Sequence, residues 1–314
     1  GITAVEYING LYEYYGDSYN LKIDNTKDQN VRYYGANPNN YVSFNNELWR
    51  IIGVFGNNVK LIRSEKLGTL SWDSSESSVN GGDGINQWGE STYEDGTSYP
   101  GSDLMQYLNK MYYGGDTTIT CYGSANNTTT TCPKDSKGNF LTIDETSKKL
   151  IDNHTWNTGA IKISESTDTL LFYNAERGMV SGKSSCSDGD NCNDTVERTT
   201  TWTGYIALPY VTDYAYASNE SICEINMLAQ DSSNTYICRS NNWIYSKYNV
   251  WYLAPYAAFG FANSSFFIHA NGKLLNRIVS ADYNVFPSIY LKSKVKIESG
   301  NGTSSNPYIL KLGN

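Results

Sequence analysis

Six cysteines fall in three close sequential pairs: Cys121 with Cys132, Cys186 with Cys192, and Cys223 with Cys238. Each pair brackets a short stretch rich in Thr, Asn, Ser, Asp or Gly, the pattern of a loop stapled at its base. Disulfides persist outside the reducing cytosol, so an even count in this layout points to an exported protein. Pairing within each couple is the preferred connectivity, although spacing alone leaves the others open. Closing a loop of ~10–15 residues stabilises a fold by about 3 kcal/mol in the chain-entropy view, enough to keep a polar loop from fraying. The rival use of cysteine, a zinc site, finds no C-x-x-C and two histidines in the chain.

The rest of the composition narrows the partners. Charged residues make up 18% of the 314 residues, whereas tyrosine and glycine reach 27 each. Such a surface is neutral, polar and aromatic, and Tyr, Ser, Gly and Asn are what binding loops favour. A formal charge of −8 argues against nucleic acid, whose phosphates require basic patches. No apolar run approaches the ~18 residues of a membrane span. No leader pattern stands at the N-terminus, so any leader or membrane anchor is expected to precede Gly1.

Along the chain, Thr3 and Glu6 have capping-box spacing, and Val5, Ile8, Leu11 and Tyr12 recur at helical intervals, predicting an N-terminal helix. Two β-rich runs, 47–55 and 59–63, flank Gly56-Asn57-Asn58 and predict a hairpin. Ser102 caps a helix over 103–112, and a second helix is expected over 144–153. Short β-rich runs follow at 170–173, 204–208 and 243–253. Asn271-Gly272 between apolar runs predicts another hairpin, and a last strand over 288–297 precedes a polar tail. The order gives an α+β domain with short antiparallel strands, two helices and long disulfide-stapled loops, preceded by the N-terminal helix.

Several segments together resemble a known family. They are Glu47-Leu48-Trp49-Arg50-Ile51-Ile52-Gly53-Val54, Arg198-Thr199-Thr200-Thr201-Trp202-Thr203-Gly204 and Asp213-Tyr214-Ala215-Tyr216-Ala217. Further matches are Trp251-Tyr252-Leu253-Ala254-Pro255-Tyr256, Phe286-Pro287-Ser288-Ile289-Tyr290-Leu291-Lys292-Ser293 and the stretch 299–308. The chain resembles the C-type-lectin-like surface domains of Gram-positive gut bacteria, which are related in architecture to the variable proteins of diversity-generating retroelements. Where that pattern has Val-Arg-Pro, this chain has Val285-Phe286-Pro287 and so lacks the arginine. The resemblance implies a C-type-lectin-like ectodomain over 31–314, with 1–30 as the remnant of a pilin-like helical stalk. It also implies display on the cell surface.

By the same resemblance, the ligand surface lies within 256–284. Its candidate residues are Phe259, Phe261, Asn263, Phe267, His269, Asn276, Arg277, Tyr283 and Asn284. A two-residue turn at 271–272 would pair His269 with Leu274 and Phe267 with Asn276. Alternation then puts Phe267, His269, Leu274 and Asn276 on one face, expected to be the exposed one. Asp188, Asp190 and Asp194 present carboxylates at the alternating spacing that hard cations such as calcium favour, but without the turn glycine and distant glutamate of an EF-hand. A solvated acidic loop is the better reading there, as for Asp73 and Glu76, and no cofactor is expected. His154 and His269 accompany no nucleophile motif, so the chain is not expected to be an enzyme. The expected function is adhesin-like binding of a glycan or protein at the cell surface. A filament-forming pilin-like subunit is the alternative, and a secreted glycoside hydrolase with two catalytic carboxylates comes third.

Overall fold

Thr3 caps α1 (Ala4–Tyr15), its hydroxyl accepting the Glu6 N–H at 3.2 Å, and the helix buries Ala4 and Ile8. Five short connections then link β1 (Leu21–Ile23), β2 (Val31–Tyr33), β3 (Tyr41–Phe44), β4 (Glu47–Phe55), β5 (Asn58–Arg63) and β6 (Gly68–Ser71). Ser102 caps α2 (Asp103–Gln106), which continues as wider π-helical turns through Tyr113. Asp144 caps α3 (Glu145–Lys148), and β7 (His154–Asn157) and α4 (Thr169–Glu176) follow. Next come β8 (Thr201–Gly204), α5 (Val211–Tyr216) and α6 (Ser221–Ile225). The remaining strands are β9 (Val250–Pro255), β10 (Ser264–Ile268), β11 (Leu274–Ile278), β12 (Asp282–Val285), β13 (Ser288–Tyr290), β14 (Val295–Ser299) and β15 (Tyr308–Leu312). The computed structural model describes residues 2–74, 86–92, 96, 98–124, 128–161, 168–178, 199–227, 237–257 and 263–314.

The fold is α+β and dominated by sheet. In the larger sheet the order is β1-β2-β4-β3-β15-β14, and β5 pairs with both β4 and β13. β4 organises it: β3 and β2 share one of its edges end to end, and β5 takes the other. Residues on both faces of β4 are buried from Trp49 to Val54, which is why Trp49, Ile51, Ile52 and Val54 form a nearly continuous apolar run. Gly53 sits where β2 crosses; a Cβ there would lie 2.3 Å from the Val31 carbonyl oxygen. The predicted β4–β5 hairpin is present, with Phe55 opposite Asn58 and Gly56 at φ +59° in the turn.

A second sheet, ordered β11-β10-β9-β12-β6, stands beside it. Four indoles pack edge to face in the core. Trp72 is 5.1 Å from Trp88 and 6.0 Å from Trp251, and Trp88 is 6.0 Å from Trp202. Such contacts add about 0.5–1.5 kcal/mol each beyond area burial. Two disulfides close the expected loops, Cys121–Cys132 and Cys223–Cys238, with Cα separations of 5.2 and 5.3 Å. Cys186 and Cys192 lie outside the described residues.

Several expectations are corrected: the helix expected over 144–153 spans only Glu145–Lys148, the run 204–208 is strand only at Gly204, and the run 243–253 is strand only from Val250. Residues 170–173 are helical, within α4, because the Asp168 side chain accepts the Leu171 N–H at 2.6 Å and caps a helix that packs on α5 and α6. The strand expected over 288–297 is two, β13 and β14, and the polar tail beyond them forms β15, which pairs parallel to β3. In the β10–β11 hairpin the register slips by one residue: Phe267 faces Leu275, and Phe266 faces Asn276. The cause is Ala270. Its N–H donates to Asn249 Oδ1 at 2.8 Å and its carbonyl accepts the Tyr245 hydroxyl, so both groups leave the ladder and the turn takes three residues. Asn276 therefore lies on the face opposite Phe267 and His269.

Candidate functional site

Three cross-strand neighbours make the floor of the main cleft. Tyr41 on β3, Arg50 on β4 and Ile62 on β5 stand in register, and opposed residues in antiparallel strands share a face. The walls are the loop after β5 (64–66) and the segment 243–248, and the cavity measures ≈ 620 Å³. That size is typical of small-molecule sites.

Arg50 is the centre of this cleft. Its guanidinium lies 4.0 Å from the Tyr41 ring centroid and 4.8 Å from that of Trp243. Nε donates to Asn40 Oδ1 at 2.8 Å, and Nη2 donates to the Pro38 carbonyl at 3.1 Å and Asn37 Oδ1 at 3.4 Å. These bonds hold the 37–40 loop over the strand. Nη1 has no protein partner among the described residues. The residue is 9% exposed, and no carboxylate offsets its burial, which pulls the guanidinium down to about 10.

The other cations in the lining differ. Arg63 grips Glu47 Oε2 through Nε at 2.9 Å and Nη2 at 2.6 Å. Its Nη1 binds the Glu65 and Lys66 carbonyls at 3.0 and 2.9 Å, shaping the wall. Lys66 is exposed, with Nζ 4.7 Å above the ring of Tyr248, itself 46% exposed. Among the described residues Glu65 is the one acidic residue of the lining. The cleft thus offers, among its described residues, aromatic rings, hydroxyls, uncompensated positive charge and a single carboxylate, that of Glu65.

Across the 37–40 loop lies a second, smaller cleft of ≈ 300 Å³, walled by Tyr7, Tyr19, Tyr33, Tyr308, Asn39 and Asn301. Among the described residues it carries none that is charged.

Charge is also gathered deep below the surface, where Arg32 bridges two acids. Its Nε donates to Asp24 Oδ2 at 2.7 Å and its Nη1 to Asp213 Oδ1 at 3.0 Å, while Lys60 Nζ meets Asp213 Oδ2 at 2.7 Å. Burial would raise the Asp213 carboxyl, but Lys60 and Arg32 outweigh it and hold it below the usual range. Burial brings the Lys60 ammonium down to about 8 in spite of Asp213. Nearby Glu176, 1% exposed, is pushed up to about 7 by burial, with Arg177 opposing in part. None of these residues lines either cleft, so the cluster serves the fold.

The residues expected from sequence sit apart from the main cleft. Phe267 is buried, stacked on Tyr283 at 4.3 Å and edge-on to Trp251 at 6.3 Å. His269 is half-buried, its Nδ1 accepting the Asn271 N–H at 3.1 Å. Asn284 bonds the Asn249 carbonyl at 2.9 Å and the Thr69 hydroxyl at 3.2 Å. Arg277 is exposed on β11, whereas Asn276 and Asn263 are half-buried. The fold thus brings Phe267, His269 and Tyr283 together. Phe259, Phe261, Asp188, Asp190 and Asp194 lie outside the described residues. Among the described residues no cluster of His, Cys, Asp or Glu is arranged to hold a metal, and no helix is long and apolar enough to cross a membrane.

Comparison with protein-family models, with curated proteins and with solved structures returned no match. The cleft residues were also not singled out by pattern. The available signal was Arg50 itself, a cation within the apolar run Trp49-Arg50-Ile51-Ile52, together with Trp243, Tyr245 and Tyr248 close together in sequence.

Proposed function

We propose that this chain is an extracellular, surface-displayed ligand-binding domain, adhesin-like and related to the C-type-lectin-like domains, which binds a glycan in the cleft floored by Tyr41 and Arg50. One observation carries this reading: an open cavity of ≈ 620 Å³, lined by Tyr245 and Tyr248, in which the rings of Tyr41 and Trp243 pack against a guanidinium with no acidic partner among the described residues. Sugars present apolar C–H faces and hydroxyls together, and aromatic side chains with a polar tip match both. The two disulfides are compatible with an oxidising, extracellular setting.

A glycan-array screen tests the proposal with three proteins: the wild type, Tyr248→Ala, and the hairpin double variant His269→Ala/Arg277→Ala. Tyr248 is exposed enough for its removal to leave the fold intact. Its loss is expected to weaken glycan binding about tenfold or more, as truncating a central aromatic contact does, while the hairpin variant binds normally. The reverse pattern would move the site to β10–β11. No binding by any of the three would overturn the glycan reading and favour a filament subunit.

A further inference from the structure

We propose that the glycan bound in this cleft carries a carboxylate, and that the free Nη1 edge of Arg50 receives it; the inference rests on the cleft being a glycan site. A buried guanidinium is ordinarily paired, because an isolated charge removed from water is costly. Arg32 obeys that rule with two carboxylates. Arg50, 9% exposed against 1% for Arg32, is also buried, yet every acceptor it has among the described residues is neutral: the Asn40 and Asn37 amides and the Pro38 carbonyl. Those bonds fix the plane of the guanidinium and leave Nη1 as the unused donor in the cleft. A planar donor already held in place loses little freedom when an anion docks.

The surroundings agree in sign and shape. Arg63 is spent on Glu47, so it neither competes for the anion nor repels a second cation. Lys66 forms no ion pair among the described residues and stands at the rim over Tyr248. Glu65, the one acid of the lining, is exposed, and the charge of the lining remains positive. The strands of the floor have no open edge here: β3 lies between β4 and β15, β4 between β3 and β5, and β5 between β4 and β13. An acidic peptide could not add to the sheet as a strand. A ring-sized ligand stacked on aromatic side chains, with one carboxylate directed at Arg50, fits the cavity better. Sialic and uronic acids are sugars of that class.

The test is titration of the whole chain, followed by calorimetry or NMR shifts, with N-acetylneuraminic acid and glucuronic acid methyl glycosides. Each is compared with its own methyl ester, which is neutral but nearly the same shape. The free acids are expected to bind at least about tenfold more tightly than their esters, the size of a charge-assisted bond lost. Arg50→Gln is expected to remove that preference, and Arg50→Lys to restore it only in part because the planar fork is gone. The ester comparison uses the wild-type protein, so it stands even where an Arg50 variant misfolds. Equal binding of acid and ester, or tighter binding of neutral sugars, would overturn the carboxylate assignment while leaving the glycan reading intact. Binding of a Glu-rich peptide with no sugar bound would overturn both.

Discussion

Arg32 on β2 and Arg50 on β4 arise from adjacent strands of one sheet, and each guanidinium packs against two aromatic rings. For Arg32 these are Tyr216 and Phe55, at 4.6 and 4.8 Å; for Arg50 they are Tyr41 and Trp243, at 4.0 and 4.8 Å. Their acids separate them. Asp24 and Asp213 outweigh the burial of Arg32 and raise its pKa, whereas Arg50 meets only neutral oxygens and its pKa is lowered. Aromatic contact and depth are therefore common to a structural charge and to a charge held for something else. What distinguishes the two is whether the fold supplies the counter-charge.

The sharpest way to break this comparison is Arg32→Met. It strands Asp24 and half of the Asp213 ion pairing, and loss of one partner from a buried pair costs about 3–5 kcal/mol. Urea denaturation measures it, and a loss under about 1 kcal/mol would erase the contrast. An intermediate effect is expected from Glu176, beside the same cluster. Its carboxyl titrates at 4.5 when unfolded and at about 7 in the fold. Between these values the folded chain holds a proton that the unfolded chain has released. Its contribution to stability is therefore complete below about 4.5 and is lost as pH rises through about 7. Glu176→Gln is expected to flatten that part of the stability–pH curve, and an unchanged slope would assign the dependence to another group. The smallest effect belongs to Arg50→Met. Its neighbours are neutral, so no charge is stranded, and the loss is set by the buried Asn40 amide oxygen left without its donor, about 1–3 kcal/mol. A loss as large as that from Arg32→Met would make Arg50 a structural residue and weaken its assignment to a ligand.

Much of the fold was legible where local chemistry decides it. Ser102 and Thr3 cap the helices they were expected to cap. Gly56-Asn57 turns the β4–β5 hairpin as its residue types require. The β10–β11 register was misread because its deciding groups, Asn249 Oδ1 and the Tyr245 hydroxyl, are distant in sequence from the turn they reshape. Leu170 to Tyr173 were misread because four apolar residues suit a strand and a helix alike; the cap at Asp168 settles the matter. At the cleft, Arg50 was visible as a cation in an apolar strand. That it lacks an acid is a fact about strands and loops brought together by folding, and no spacing records it.

The parallel pairing of β15 with β3 bears on how the chain acquires its shape. Tyr308 lies beside Val42, and Lys296 bridges to Thr3 at the start of α1. The β1–β2–β4 side of the sheet forms from neighbouring strands, but its β3–β15–β14 side cannot close until Val42 has met Tyr308 and Thr3 has met Lys296. Folds dominated by such distant pairings assemble slowly. Until β15 has been made and placed, the edge of β3 that it covers stays open, so this part of the sheet is among the last to be completed.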